Sequence, residues 1–349
     1  MQTFKKVLAA ILCFAALLTL LSVVILVPYS RSESNYNQDS KLRSQLAGTI
    51  DCIFIGASHG LVTFIPEAAD NELNCVSYNL SESMLPMYSR YYLLRKELDR
   101  NPVKTVVLEL SCDTLSRNAA KEYGIGEDAT IDRLDSFSER AEYLLKYTAY
   151  DDWLNVYSRQ LTSGISYWKK RVLGNLECEV DYAAKGFYGR EPSDVSLSNE
   201  EIIREYNKSR QPDSFMSEEK AKFQDVVDLC KSYGCRVIVV VVPVPDSYIW
   251  ERDNLDAFTR NAVEFCDENN IEFYDFNLVR DRYEIYSDQY SFSDGDHMST
   301  TGAEAFMKSY ITIMKSVDAN EDISCLFYDS YSDLKEDSPY MRYYKSTVK

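Results

Sequence analysis

Histidine and positive charge are both scarce in this 349-residue chain. It contains two histidines, and its 38 lysines and arginines are outnumbered by 55 aspartates and glutamates, which gives a net charge of −17 at pH 7. Binding to nucleic acid phosphates needs the opposite balance, so no nucleic-acid partner is expected. The sequence also lacks Cys-x-x-Cys, metal-ligand spacing, internal repeats and low-complexity tracts. We therefore expect a globular protein with no metal and no organic cofactor.

Charged residues are absent from Val7 to Val27, an apolar run of 21 residues. At about 1.5 Å per helical residue, this run spans a bilayer core of roughly 30 Å. Lys5 and Lys6 precede it, so the positive-inside rule places the N-terminus in the cytoplasm and the body outside. A cleaved signal peptide is the alternative, but its apolar region is usually shorter and ends in an A-x-A-like site. We predict a single-pass cell-membrane protein with an uncleaved anchor over residues 1–29.

The rest of the chain alternates apolar strand candidates with amphipathic helices. Strands that alternate with helices predict an α/β fold, a doubly wound parallel sheet of about five strands. Ligands of such folds bind beyond the carboxyl ends of the strands. The predicted strands are Ile50 to Gly56, Cys75 to Asn79, Lys104 to Ser111, Cys235 to Val242 and Ile271 to Phe276, and the clearest helices are Pro86 to Arg100, Ser217 to Tyr233 and Thr301 to Ser316.

The stretch 112–216 interrupts this alternation and is too long for a loop, so we predict a helical cap inserted after the third strand. Its Trp153 and Trp168 either stack on sugar rings or pack the core of the cap. A polar stalk over 30–48, an α/β domain over 49–317 and an acidic, tyrosine-rich tail over 318–349 complete the predicted organisation. Eight of the nine cysteines lie outside the anchor, where either disulfides or buried free thiols are expected.

The segment Gly56-Ala57-Ser58-His59-Gly60 directly follows the first strand. A serine at this turn projects its hydroxyl at the carboxyl edge of the sheet, and the N–H groups of a helix start stabilise an oxyanion. The alternative is that Ser58 only caps the next helix. His59 cannot easily serve its neighbour Ser58, so either a structural role or contact with substrate is expected for it.

The segment from Phe292 to Ser299 precedes the last helix and contains the second histidine, His297. A hydroxyl nucleophile needs a base, and the base needs a carboxylate that fixes its tautomer. His297 and Asp294 supply both from one loop, with Asp296 as a rival carboxylate. The alternative is a polar, helix-capping loop with an incidental histidine. Because one histidine adjoins the candidate nucleophile and the other lies in the acidic loop, the pairing favours a catalytic site.

A serine in Gly-x-Ser after the first strand and Asp-x-x-His before the last helix resemble the SGNH/GDSL hydrolase superfamily. The resemblance is nearest to its extracytoplasmic, membrane-anchored branch, which includes the teichoic acid D-alanyl transfer protein and the alginate O-acetyltransferases. It covers about Thr49 to Ser111 and Ser217 to Val317. It implies Ser58 as the nucleophile, His297 as the general base and acid, and Asp294 as the orienting carboxylate.

The chain departs from the superfamily pattern in its expected oxyanion donors. Gly-Asp-Ser is replaced by Gly-Ala-Ser, and the third strand ends in Ser111-Cys112-Asp113 without Gly-x-Asn. Asn79 and Ser81 are the best substitutes, with His59 as a further candidate contact to substrate.

The resemblance implies a serine esterase or an O-acyl(acetyl)transferase that forms an acyl-serine intermediate. The anchor suggests a cell-surface glycan or wall polymer as substrate, an acylated sugar, with a membrane-bound acyl donor as a partner. The negative body favours a neutral or cationic group near the site. The alternatives are a non-catalytic binding or scaffold protein of surface polysaccharide assembly, and an anchored structural protein without a site.

Overall fold

The computed structural model of the chain describes residues 2–30, 35–112, 114, 124–134, 137–148, 153–174, 184–206, 217–252 and 254–347. The chain divides into two compact units. One comprises Met1–Ser44 and Glu127–Asp181, and the other comprises Gln45–Gly126 and Tyr182–Lys349. All the predicted site residues belong to the second unit, as does the predicted α/β domain except for Glu127–Asp181 of its cap.

A five-stranded parallel sheet lies at the centre of the second unit, with strand order β2-β1-β3-β4-β5. The central strands are apolar and almost wholly buried, as expected for a parallel sheet that is covered on both faces. The sheet confirms the predicted fold class. Its strands are β1 (Cys52–Ile55), β2 (Ser77–Asn79), β3 (Thr105–Glu109), β4 (Arg236–Val241) and β5 (Glu272–Asp275).

Helices connect the strands and, together with loops, form the rest of the described chain. They are α1 (Gln2–Ser30), α2 (Asn35–Gln45), α3 (Ser58–Thr63), α4 (Pro66–Leu73), α5 (Met87–Arg100), α6 (Gly124–Asp132), α7 (Phe137–Tyr147), α8 (Trp153–Leu173), α9 (Asn199–Tyr206), α10 (Ser217–Ser232), α11 (Asp246–Trp250), α12 (Leu255–Glu268), α13 (Arg282–Ile285), α14 (Thr300–Asp318), α15 (Tyr331–Glu336) and α16 (Pro339–Thr347). Gly234 follows α10 with a φ of +75°, the left-handed conformation that ends many helices at glycine.

Successive strand residues pack on opposite faces of the sheet. Phe54, Val107 and Val240 face one cluster, to which α3 contributes Leu61 and α14 contributes Phe306. The residues of opposite parity are buried as well, so both sides of the sheet are covered by helices. Polar side chains therefore converge at the carboxyl edge of the sheet.

The chain reverses its direction across the sheet between β1 and β3. From β1 it runs outward to β2, and β3 then returns to the other side of β1. The crevice at such a switch point is where open α/β sheets bind ligands. The turn that carries Ser58 follows β1, and Glu109 ends the adjacent β3.

The N-terminal helix α1 belongs to the first unit. Its segment Phe4–Leu26 has 23 residues and is long and apolar enough to cross a membrane. Large apolar side chains along it are exposed, including Leu12 and Leu20. The predicted apolar N-terminal helix is therefore present; its orientation, and whether it is an anchor or a cleaved signal, stay predictions.

Helices α6 to α9 lie within the predicted cap range 112–216. Of this range, Glu127–Asp181 belongs to the first unit with α1, while the part from Tyr182 onward belongs to the sheet's unit. Residues 187–198 run largely without regular structure and hydrogen-bond to the segment before α14: Ser193 N–H donates to Phe292 O, and Val195 N–H to Asp288 O. The indole N–H of Trp153 donates to backbone carbonyls of the first unit, which favours packing over sugar stacking.

The tail contains the short helices α15 and α16, although its sequence shows no clear periodicity. Phe327 forms an isolated bridge with Val279, and Tyr331 Oη donates to Asp275 Oδ2 over 2.9 Å. Tyr340 stacks edge-on against Trp250, which is 1% exposed. The tail is thus tied to the α/β unit by its aromatic residues.

Candidate active site

The turn after β1 is held close to β3. A Cβ on Gly56 would lie 2.4 Å from Glu109 Cβ, so the close approach of the two strands requires glycine there. The Ala57 N–H donates a 2.7 Å hydrogen bond to Glu109 Oε2. Ala57 occupies the N-cap position of α3, and Ser58 is its first helical residue. Ser58 is therefore not the capping residue of this helix, and its half-buried side chain lies at the carboxyl edge.

The loop that carries His297 is closed on itself. Phe292 and Met298 form an antiparallel bridge, and Ser293 N–H donates to His297 O over 2.9 Å. Within the loop, Asp294 Oδ1 accepts the backbone N–H groups of Asp296 and His297. The cap of α14 is Ser299, whose Oγ accepts the Gly302 N–H. Ser299 therefore caps the helix, and neither Asp294 nor His297 does, contrary to the alternative that this is only a helix-capping loop.

Ser58, His297 and Asp294 form one chain of hydrogen bonds across 239 positions of sequence. Ser58 Oγ lies 2.8 Å from His297 Nε2, and His297 Nδ1 lies 2.9 Å from Asp294 Oδ1. Within this distance a neutral imidazole that carries its proton on Nδ1 accepts the serine proton at Nε2. The arrangement has the connectivity that activates a serine hydroxyl for acyl transfer.

Asp296 is a second carboxylate on the same imidazole. Its Oδ1 lies 2.7 Å from His297 Nδ1, and its Oδ2 lies 3.6 Å from His59 Nε2. Burial opposes ionisation of this carboxyl, but hydrogen bonds and charge attraction from both histidines lower its pKa well below the usual range. The rival carboxylate considered from the sequence therefore joins the site instead of replacing Asp294.

Arg190 approaches the site from the segment after Tyr182. Its Nη1 lies 2.7 Å from Asp294 Oδ2 and 3.2 Å from Ser293 Oγ. The guanidinium holds Asp294 Oδ2, which also lies 3.1 Å from His297 Nδ1. No sequence pattern marks this residue, because its segment has no periodicity and its partner is 104 positions away.

The predicted substrate contact His59 is 6% exposed and lies beneath the loop of His297. Its ring centroid is 5.1 Å from that of His297, and its Nδ1 is 3.9 Å from Glu109 Oε1. The structure therefore brings both histidines of the chain into one site.

The two predicted substitutes for oxyanion donors are fully buried. Asn79 Nδ2 donates to Gly60 O over 2.9 Å and to Phe64 O over 3.0 Å, while its Oδ1 accepts the Ser81 N–H. Both amide hydrogens thus serve the carbonyls of α3. Ser81 Oγ lies 2.6 Å from the place of a Cβ on Gly60, so its side chain fills the space beside that glycine. These contacts favour a positioning role for Asn79 and Ser81 over direct contact with substrate.

Glu109 is a site residue that the motif analysis missed. It is fully buried, it accepts the Ala57 N–H, and Arg90 supports it from α5: Arg90 Nη1 donates to Glu109 O over 2.6 Å, and Arg90 Nη2 lies 3.6 Å from Glu109 Oε2. A charged residue inside the apolar run Thr105–Leu110 was the available signal, because buried glutamates are rare unless they are paired.

No protein-family model and no curated protein sequence matches the chain. Among solved structures, it is similar to a Bacteroides fragilis NCTC 9343 protein provisionally described as an acylhydrolase, with 10% identity, 80% of this chain and 97% of that chain covered, and a TM-score of 0.36. A GDSL-like lipase from Bacteroides thetaiotaomicron VPI-5482 has 12% identity, 80% and 98% coverage and a TM-score of 0.35. A Streptococcus pneumonia protein provisionally described as a platelet activating factor has 11% identity, 87% and 98% coverage and a TM-score of 0.32.

Proposed function

We propose that this protein is a serine acyl hydrolase or O-acyltransferase of the SGNH/GDSL type. The observation that carries the proposal is the hydrogen-bonded chain from Ser58 Oγ through His297 to Asp294 at the switch point of the sheet. Serine, imidazole and carboxylate stand there in the order in which a serine nucleophile is activated.

In the first half-reaction, Ser58 Oγ attacks the carbonyl carbon of an ester and its proton passes to His297 Nε2. The N–H groups in the first turn of α3 are the proposed donors to the oxyanion. The tetrahedral intermediate then expels the alcohol, which leaves with the proton from His297, and acyl-Ser58 remains.

In the second half-reaction, an incoming hydroxyl attacks the acyl carbonyl while His297 takes its proton. Collapse of this second intermediate breaks the bond to Ser58, and His297 returns the proton to Ser58 Oγ. Water as the nucleophile gives an esterase, and a sugar hydroxyl gives a transferase. Asp294, held by Arg190 and by two backbone N–H groups, stabilises the imidazolium in each half-reaction.

The finer part of the proposal concerns location and substrate. The apolar helix Phe4–Leu26, preceded by two lysines, supports a membrane anchor with the α/β unit outside the cell. An O-acetylated surface glycan or wall polymer is the proposed substrate or acceptor, with a membrane-bound acyl donor as partner. The net charge of −17 favours a neutral or cationic group near the site.

Labelling of the full chain in detergent with a fluorophosphonate probe tests the proposal, because such probes react with activated serines. We expect covalent labelling of the wild type, none of Ser58→Ala, and undiminished labelling of the matched control Ser324→Ala, which changes an exposed serine. A folded wild type that neither reacts nor hydrolyses p-nitrophenyl acetate would contradict the proposal and favour the non-catalytic binding protein.

A further inference from the structure

The two histidines of the chain meet around one carboxylate. The ring centroids of His59 and His297 are 5.1 Å apart, and Asp296 contacts both rings. One donor atom from each of these three residues lies within 4.8 Å of the other two. Sequence spacing predicted no metal centre, because two of the donors lie in a loop more than 230 positions beyond the third.

The donor set has the composition of a transition-metal site. Two imidazoles and one carboxylate suit zinc, cobalt or nickel, whereas magnesium and calcium prefer sites made of oxygen ligands. Ligands at about 2.0–2.2 Å from a tetrahedral zinc ion lie roughly 3.3–3.6 Å apart. The distance of 3.6 Å between His59 Nε2 and Asp296 Oδ2 agrees with this separation, whereas the 2.7 Å between Asp296 Oδ1 and His297 Nδ1 is a hydrogen-bond distance that must lengthen when an ion enters.

A second, independent observation comes from Glu109. Its Oε1 is buried and has no hydrogen-bond partner among the described residues, and it lies 3.9 Å from His59 Nδ1. A histidine that binds a metal through one ring nitrogen almost always directs its other N–H to a carboxylate or a carbonyl. At 3.9 Å the two groups are not hydrogen-bonded, but a small approach would direct the Nδ1–H of His59 to Glu109 Oε1 and leave Nε2 as an electron-pair donor facing Asp296.

We propose that His59 Nε2, the Asp296 carboxylate and His297 Nδ1 bind one divalent transition-metal ion of the zinc class, with water as the fourth ligand. Three protein ligands and one exchangeable position make a complete tetrahedral shell. Coordination through Nδ1 requires the neutral tautomer of His297 whose single proton lies on Nε2, so that proton moves from Nδ1 to Nε2 when the ion binds. Asp294 lies beside the proposed site: its Oδ1 is 2.9 Å from His297 Nδ1, and its Oδ2 forms an ion pair with Arg190.

Metal binding has a consequence that rests on the proposed function. With its proton on Nε2, His297 donates to Ser58 Oγ and cannot accept the serine proton. The metal-bound form is therefore inactive in acyl transfer, and the ion acts as a reversible inhibitor of the serine chemistry.

Binding is measured without catalysis on the full-length Ser58→Ala protein in detergent. Titration with Co²⁺ is expected to give the visible absorption of a tetrahedral ion at one equivalent, and Zn²⁺ is expected to remove it. With ¹⁵N-labelled histidine, the expected zinc-induced shifts are confined to His59 Nε2 and His297 Nδ1. Because the chain has only two histidines, the chemical shifts of four ring nitrogens report every possible histidine ligand.

The variants separate the site from adventitious binding. His59→Gln in the Ser58→Ala background is expected to abolish the cobalt spectrum, and Glu109→Gln to weaken binding by about 10–100-fold. Asp322→Asn changes an exposed carboxylate and is the matched control without effect. No cobalt band with millimolar metal, or a zinc-induced shift at His297 Nε2 in place of Nδ1, would overturn the proposal.

The wild type then links the site to activity. Zinc is expected to slow fluorophosphonate labelling by at least tenfold, with full recovery after chelation. Labelling that zinc leaves unchanged overturns the inhibitory role while the acyl-transfer function stands. Absence of labelling without any metal contradicts the function, and the cobalt and nitrogen measurements still decide the metal site.

Discussion

The Ala57 N–H donates a 2.7 Å hydrogen bond to Glu109 Oε2, which ties the turn before Ser58 to the end of the neighbouring strand β3. The carboxylate is fully buried, is paired with Arg90 and faces His59. Burial of an ionisable group costs free energy unless the group is paired, so the buried carboxylate of Glu109 beneath this turn indicates a specific role. These contacts support a role for Glu109 in holding the turn that carries Ser58, the proposed nucleophile.

We expect Glu109→Ala to slow acylation by at least about tenfold, because the turn that positions Ser58 loses its hydrogen bond. Loss of this bond and of the pairing with Arg90 is expected to lower the free energy of unfolding by about 1–3 kcal/mol. Glu109→Gln keeps an acceptor for Ala57 and is expected to recover most of the rate. The measurement is the labelling rate at a temperature where both variants are folded.

Glu97→Ala is the matched control, because it truncates a buried glutamate near the end of α5, where Glu97 accepts a hydrogen bond from Asn101. Loss of stability without loss of labelling rate is expected there. If Glu109→Ala loses only stability, as Glu97→Ala does, then Glu109 does not position Ser58.

The two carboxylates on His297 are expected to differ in their contribution to the rate. Asp294 accepts hydrogen bonds from the imidazole Nδ1–H of His297 and from two backbone N–H groups, and it forms an ion pair with Arg190. Asp296, by contrast, is shared between the two histidines. Asp294→Asn is therefore expected to lower the rate of p-nitrophenyl acetate hydrolysis by about 10²–10⁴-fold, since the imidazolium loses its main partner. Asp296→Asn, with Asp294 intact, is expected to cost about tenfold or less. A larger loss in Asp296→Asn than in Asp294→Asn would assign the orienting role to Asp296.

Asn79 is expected to matter for stability more than for chemistry. Its amide donates to the carbonyls of Gly60 and Phe64, so Asn79→Ala leaves two buried acceptors of α3 without these donors. We expect thermal unfolding to show a loss of about 2–4 kcal/mol, and the labelling rate of the folded protein to change less than tenfold. A loss of 100-fold or more with unchanged unfolding would show instead that Asn79 is an oxyanion donor.

The sequence predicted the elements that local signals define. The run Cys235 to Val242 and the helix that begins at Ser217 and ends before Gly234 were placed to within about one residue, because apolar runs and a terminal glycine act locally. Arg190 was beyond prediction, since it acts only through a loop that the fold brings beside it. The tail helices were missed because they are short and are held by residues far away in the sequence, including hydrogen bonds from Tyr331 to Asp275 and from Tyr340 to Asp246.

Asp288 is expected to make the protein less stable as the pH rises from about 4 to about 7. Burial and the nearby charge of Asp246 raise the pKa of the Asp288 carboxyl from 3.8 to about 7, although Arg282 partly opposes the shift. The folded state therefore binds more protons than the unfolded state over this range. The stability present below pH 4 is lost as the pH rises through the folded pKa.

Asp288→Asn removes the charge that burial disfavours. We expect the variant to gain on the order of 1–2 kcal/mol at pH 8 relative to the wild type, after allowance for solvent screening, and to differ little from it below pH 4. Urea unfolding at pH 4, 6 and 8 measures the free energy of unfolding of both proteins. The titration of all other groups is common to both and cancels in the difference between them. The control Asp322→Asn is expected to act in the opposite direction, because hydrogen bonds from Ser324 lower the pKa of that exposed carboxyl. A difference between Asp288→Asn and the wild type that does not change with pH would mean that Asp288 is ionised throughout, with its charge balanced by Arg282.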